Sequence, residues 1–321
     1  MQWLRKPRYD EDSADKLEPS DQSTSSSCHS SPEEKWARIA QLGFRESSHT
    51  HAFHDLLCCG IPDSFRWEAW KDITGVPPLN KLCSYRSLVR SCEHAPTEWQ
   101  QQIEMDVQRT LTSTQVLDAG EQQQLLRVLN AYAVHNPTVG YCQGMNYITA
   151  VLLAVSKNEE ESFHMLKLLM EDARYGLAGF FEAGFPLYSR YRAGFELILE
   201  EAAPEVHQHL IREGVPPDLY LQQWLLTMFG GTFPFPVVLH LWDLVICKER
   251  LPFVLKLAYC IVHITKDSLM NMQFEEIIAY FKKLDSPEGD VQRLGHLLVA
   301  YAAKKLTLPE GLLGRAVQQG R

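Results

Sequence analysis

Two short stretches of this 321-residue chain hold side chains whose types and spacing could do chemistry. In IEMDVQRT, residues 103–110, Ile103, Asp106 and Arg109 stand three apart, so a helix would bring them to one face. An arginine there offers a permanent charge and a rigid fork of N–H donors that matches phosphate oxygens. An acid one turn earlier could hold that fork by a charge-assisted hydrogen bond. The plainer alternative is an exposed i,i+3 ion pair, contributing roughly 0.2–0.5 kcal/mol. In NPTVGYCQGMNYITAVLL, residues 136–153, Gln143 follows an Asn-Pro stop, lies between Gly140 and Gly144, and precedes an apolar run. A carboxamide carries both a donor and an acceptor, so it can hold a water while bonding to a neighbour. The plainer alternative is a buried Gln143 that caps a helix start, with the glycines serving a turn.

Other chemistries lack their signatures. The chain has twelve histidines but no G-x-S-x-G elbow, no HExxH and no HxxxH. His207 and His209, in EVHQHL, would point to different helix faces, so a shared metal is not expected. Neither GxxxxGK[ST] nor GxGxxG occurs, so the chain itself is not expected to bind a nucleotide. None of the eight cysteines forms a CxxC pair or a zinc-finger spacing, and free thiols in a reducing cytosol are expected. A net charge of −9 argues against wholesale nucleic-acid binding.

The elements that must carry these side chains read as helices almost throughout. SPEEKW has Ser31 as an N-cap, Pro32 at the first helical position and Glu34 completing a capping box; that helix fades at Gly43. EQQQLLRVLNAYAVHNP places Leu125, Leu126, Leu129, Tyr132 and Ala133 on one stripe, stopped by Asn136-Pro137. Phe163, Leu166, Leu169 and Met170 repeat the pattern, and so does RYRAGFELILEEAAPEVHQHLIREG, interrupted at Pro204 and ended at Gly214. Val291, Leu294, Leu298 and Tyr301 mark a late helix. FPFPVVLHLWDLVI has strand-like composition, yet its prolines favour a helix starting after Pro236. The expected fold class is all-α. Residues 1–30 read as a disordered, Ser-rich acidic tail, 31–54 as a helix and linker, and 286–321 as a C-terminal helix and tail.

Between these flanks, residues 55–285 resemble the TBC domain, the helical module of Rab GTPase-activating proteins. GIPDSFRWEAW resembles its opening block, with Arg66 and Trp70 on the family's Arg and Trp. IEMDVQRT matches IxxDxxRT, which places Arg109 on an arginine finger and Asp106 on its accompanying acid. GYCQGMN matches the YxQ block, so Tyr141 and Gly144 flank a glutamine finger at Gln143. QWLLTMFGGTFPFPVVLHLWDLVI resembles the QW…F…P…WD segment, including Trp242 and Asp243. Many members continue RT with Phe-Pro; here Leu111-Thr112 follows, which is expected to reshape the adjoining loop and the preference among Rabs.

The resemblance implies a two-lobed helical fold and faster GTP hydrolysis on a GTP-bound Rab, with both fingers supplied in trans, in vesicle trafficking. GTP and magnesium would be carried by the partner; no cofactor or metal of the chain's own is implied, and it would not itself be a nucleotide hydrolase. Asp106, Tyr141, Gly144 and Arg66 would support the fingers or touch the partner; Trp70, Trp242 and Asp243 would be structural. A catalytically silent scaffold that binds a Rab or another partner is the alternative. MQWLRKPRYDEDSADK lacks an apolar h-region, the final VQQGR is no prenylation box, and the longest clean apolar stretch, 147–155, is short of the roughly 20 residues a span requires. A cytoplasmic protein is expected, reaching endomembranes only through its partner.

Overall fold

The structure is a computed structural model and describes residues 31–79, 85–95, 97–110, 116–282, 284 and 289–319. The readings made for residues 1–30 and for Leu111-Thr112 lie outside the described residues. Among those described there is no strand. Helix α1 (Pro32–Leu42) opens on the expected capping box, in which the Ser31 hydroxyl accepts from the Glu34 N–H at 3.2 Å and the Glu34 carboxylate accepts from the Ser31 N–H at 3.1 Å. The stretch read as a linker is instead helical, in α2 (Phe44–Ser47) and α3 (His51–Leu57). Phe44 and Phe53 explain the difference: both rings pack on Trp36, and burial of that aromatic set outweighs the weak local helix signal.

A first group of helices follows: α4 (Asp63–Thr74), α5 (Tyr85–His94), α6 (Gln100–Arg109), α7 (Ala119–His135), α8 (Met145–Ser156) and α9 (Glu159–Glu171). In α7 the predicted stripe turns inward, with Leu125, Leu129, Tyr132 and Ala133 fully buried and Leu126 partly so. The second group comprises α10 (Pro186–Ala202), α11 (Pro204–Arg212), α12 (Leu221–Leu226), α13 (Phe235–Leu244), α14 (Pro252–Leu269), α15 (Phe274–Lys282), α16 (Gly289–Lys304) and α17 (Leu312–Gln318). Pro204 separates α10 from α11 as expected, and Gly214 takes a left-handed φ of 70° after α11. Helix α13 begins slightly earlier than predicted, at Phe235, because Pro236 is tolerated within a first helical turn. It runs into a π-helical turn at Val245–Glu249. One continuous apolar core joins the two groups, and Trp70 of α4 stacks on Trp242 of α13 at 6.0 Å.

The last residues are more than a tail. Leu312 and Ala316 bury completely, and α17 lies so close to α10 that a Cβ on Gly194 would stand 2.2 Å from the Ala316 carbonyl oxygen. No described helix is long and apolar enough to cross a membrane.

Two outcomes are expected. Gly194→Ala should destabilise the protein by about 1–3 kcal/mol and speed amide exchange in α17, because a backbone carbonyl cannot swing aside as a side chain can. His240, on α13, is buried; its Nε2–H donates to the Cys58 carbonyl at 3.0 Å and its Nδ1 meets His296 Nδ1 at 3.1 Å. Burial, then the neighbouring His296, lower its pKa to about 4. A histidine held neutral in the fold contributes stability above its unfolded value near 6.5 and loses it as pH falls toward the folded value. The stability advantage of wild type over His240→Gln should therefore shrink between about pH 6.5 and 4, by up to about 3 kcal/mol, in denaturant titrations.

Candidate functional site

Helix α6 presents its C-terminal turn where Asp106 and Arg109 stand one turn apart. Ile103 and Val107 bury the inner side of α6 and fix its rotation. Asp106 is not an exposed partner in a surface pair: its side chain is 3% exposed, whereas that of Arg109 is 61% exposed. One carboxylate oxygen of Asp106 accepts from Arg109 Nη2, and the other accepts from the Tyr141 hydroxyl at 2.7 Å. Burial, reinforced by the accepting Asp106 carboxylate, pushes the Tyr141 hydroxyl far above the ordinary phenol range, so it remains a donor at any physiological pH.

A second chain of bonds ties the same two segments together. Thr110, the residue after Arg109, donates its hydroxyl to the Asp106 carbonyl at 2.6 Å. The same hydroxyl accepts from Asn146 Nδ2 at 2.7 Å, and Asn146 Oδ1 accepts from the Gly144 N–H at 2.8 Å. Thr110 and Asn146 are both buried. Gln143 thus lies between two anchors: Tyr141, bonded to Asp106 before Arg109, and Gly144, bonded to Asn146, which in turn donates to Thr110 after it. Gln143 itself is exposed and does not cap α8, and its carboxamide has no hydrogen bond among the described residues.

The glycines on either side of Gln143 are required by close approach. Gly140 has φ +59° and rests on Trp99, whose indole atoms lie 2.6 Å from where a Cβ would be. Gly144 has φ +113°, and a Cβ there would meet the Leu226 carbonyl oxygen at 2.8 Å. Behind them α8 buries Met145, Ile148 and Leu152 completely. Cys142, beside Gln143, is half-buried; burial and then Asp106 raise its thiol pKa, which disfavours the thiolate that a nucleophile needs.

Arg66 does not join this surface. It is buried, with Nε donating to Asp243 at 3.1 Å and its other nitrogens bonded to Asp63 and to the Ile61 carbonyl. Asp243, fully buried, also accepts from the Ile61 N–H and from Trp70 Nε1, each at 2.9 Å. Burial pushes its carboxyl up to about 6 against the pull of Arg66, so it stays ionised at neutral pH. Arg66, Trp70, Trp242 and Asp243 therefore form one interior cluster that locks α4 to α13, and Trp242 Nε1 donates to the Met228 carbonyl at 3.2 Å. His207 and His209 do not converge; His209 is buried and bonds to the Met272 carbonyl. Among the described residues no group of three or more His, Cys, Asp or Glu side chains could hold a metal ion. Those described cysteines that are assigned, Cys58, Cys59, Cys92, Cys142, Cys247 and Cys260, are unpaired.

The sequence reading missed Thr110, Asn146 and Trp99. The first two were visible as the last letters of the motifs IEMDVQRT and GYCQGMN, but their mutual bond spans 36 positions and leaves no periodic trace.

The family described as Rab-GTPase-TBC domain matches residues 63–270. The chain is 32% identical over 224 residues to the GTPase-activating protein GYP5 of Saccharomyces cerevisiae, covering 70% of this chain and 24% of that protein. It is 27% identical over 267 residues to the Rab GTPase-activating protein tbc-11 of Caenorhabditis elegans, covering 80% of this chain and 28% of that one. It thus matches only about a quarter of the length of these relatives. Its fold is similar to the crystal structure of a Chlamydomonas flagellar RabGAP TBC domain, with a TM-score of 0.68, 22% identity and coverage of 86% of this chain and 93% of that one. The Ypt/Rab-GAP domain of Gyp1p is similar at a TM-score of 0.69 and 18% identity, covering 85% and 98% of the two chains. The matched residues run from α4 into the end of α14 and contain both anchored segments, and the chain belongs to the Rab-GTPase-TBC domain family.

Proposed function

We propose that this chain accelerates GTP hydrolysis on a Rab-family GTPase, with Arg109 and Gln143 entering the partner's nucleotide site. The observation that carries this reading is the pairing of exposure with anchoring. Arg109 and Gln143 are exposed, while the residues beside them, Asp106, Thr110, Tyr141, Gly144 and Asn146, are buried and bonded to one another. Phosphoryl transfer to water needs positioning and charge stabilisation and no covalent step by the protein. The Arg109 guanidinium meets the charge that builds on the transferring phosphate, and the Gln143 carboxamide orients the attacking water or the loop around it. Asp106 positions the guanidinium and does not act as a base, since both of its oxygens already accept hydrogen bonds. The nucleotide and its magnesium come with the partner.

Single-turnover hydrolysis across a panel of GTP-loaded Rabs tests this reading. Arg109→Lys and Arg109→Ala should each remove most of the acceleration, a loss on the order of 10³–10⁵-fold, because an ammonium cannot reproduce the planar fork. Gln143→Ala should cut it steeply, with folding and Rab binding retained. A fully active Arg109→Lys protein would refute the assignment. Stable binding by wild type without faster turnover would select the silent-scaffold alternative.

Tyr141→Phe offers a finer probe. It removes one donor from the buried Asp106 carboxylate and should cost about 1–2 kcal/mol of stability. Loss of the anchor should slow the stimulated GTP turnover on the Rab by roughly 5–30-fold. Unchanged turnover at saturating protein would dissociate the anchor from the chemistry.

A further inference from the structure

Three arginines that are remote in the chain converge on a single polar cavity of about 450 Å³. Arg45 comes from α2, Arg174 from the turn after α9, and Arg250 from the end of the π-helical turn. His49 and Thr74 help to line the cavity, and no Asp or Glu does. In a chain of net charge −9 such a concentration of cations is not a background feature.

Each guanidinium is fixed by some of its nitrogens and leaves others unspent. Arg45 Nε donates to the Asp72 carbonyl at 2.9 Å, and neither of its Nη groups has a hydrogen bond among the described residues. Arg174 spends Nε and Nη2 on Asp172 and the Thr74 carbonyl, which leaves Nη1. Arg250 spends Nη1 on the Tyr175 hydroxyl and the Ile246 carbonyl and lies over the Tyr175 ring at 4.9 Å, which leaves Nε and Nη2. Of the three guanidiniums only that of Arg174 is bonded to a carboxylate, that of Asp172. The guanidiniums of Arg45 and Arg250 thus have no carboxylate hydrogen-bonded to them, while the Asp72 carboxylate accepts from the Arg45 backbone N–H at 3.0 Å and Asp172 interacts with both Arg174 and Arg250.

The backbone at Arg250 adds a second observation. Its φ of 61° and ψ of −167° fall in a region that is essentially reserved for glycine. An arginine is held there, with its side chain clamped toward Tyr175 and its backbone strained. Gly75, with φ +76°, lines the same cavity, and a Cβ on it would meet Arg45 Nη2 at 2.3 Å.

We propose that the cavity between Arg45, Arg174 and Arg250 binds a phosphate monoester, carried either by a soluble inositol phosphate or by a phosphoinositide headgroup. Such a group bears about 1.5–2 negative charges and three acceptor oxygens, which suits three convergent guanidiniums with several free N–H donors. A carboxylate offers two acceptor oxygens and one charge, and so would engage fewer of these donors. The site is independent of the Arg109–Gln143 surface and shares no residue with it.

Calorimetric titration of the full chain with inositol 1,4,5-trisphosphate and with inorganic phosphate tests the chemistry. Flotation with phosphatidylcholine vesicles containing phosphatidylinositol 4-phosphate, against vesicles matched in charge with phosphatidylserine, tests the source. Binding should weaken about tenfold or more in Arg45→Gln and in Arg250→Gly, and should fall with added salt. Arg250→Gly relieves the strained backbone, and Arg45→Gln alters an exposed side chain, so unfolding of one variant leaves the other to decide. Binding to soluble ligands alone identifies a free phosphate ester; binding to phosphoinositide vesicles above the serine-lipid control identifies a headgroup. Absence of binding to every probe, or undiminished binding by both folded variants, overturns the proposal.

Discussion

The carboxylate of Asp106 is removed from water at the end of α6, and an ion taken out of water must be met by donors. One donor is Arg109, on its own helix; the other is Tyr141, two residues before Gln143. Leaving either oxygen unmet would cost far more than the net value of the bond, so this buried charge dictates where the loop after α7 lies. The glycines that flank Gln143 and the Thr110–Asn146 bond follow from the same demand, since the loop must pass close to Trp99 and Leu226 to reach α6.

A second buried acid has the same role for the scaffold. Asp243 gathers Arg66, Trp70 and the Ile61 N–H, and so joins α4 and the residues before it to α13 across 173 to 182 positions of sequence. The two acids divide the work. Asp243 is sealed inside and holds the two groups of helices together, whereas Asp106 has one partner whose remaining nitrogens reach solvent. Burial on one side and exposure on the other make Arg109 available for chemistry, while Arg66, an arginine with similar motif status, is not.

Local signals in the sequence reached the helices whose caps and stripes are complete within a few residues. Ser31 with Glu34, the α7 stripe ending at Asn136, and the break at Pro204 all depend on neighbours within one or two turns. Helices α2 and α3 depend on Trp36 receiving two rings, and α17 on the absence of a side chain at Gly194, more than a hundred positions away. Neither leaves a periodic mark in its own segment. At the site, Arg109 and Gln143 could be singled out by type and by resemblance. The exposure of one and burial of its acid could not, because i,i+3 spacing is the same for a surface pair and for a half-buried one.

Gly140 sits against Trp99, the N-cap residue of α6, while Tyr141 bonds to Asp106 near the end of that helix. Neighbouring residues of one loop therefore meet a ten-residue helix at its N-cap and in its last turn. The conformational entropy of arranging these backbone segments is therefore lost when the chain folds, before a second molecule could meet them.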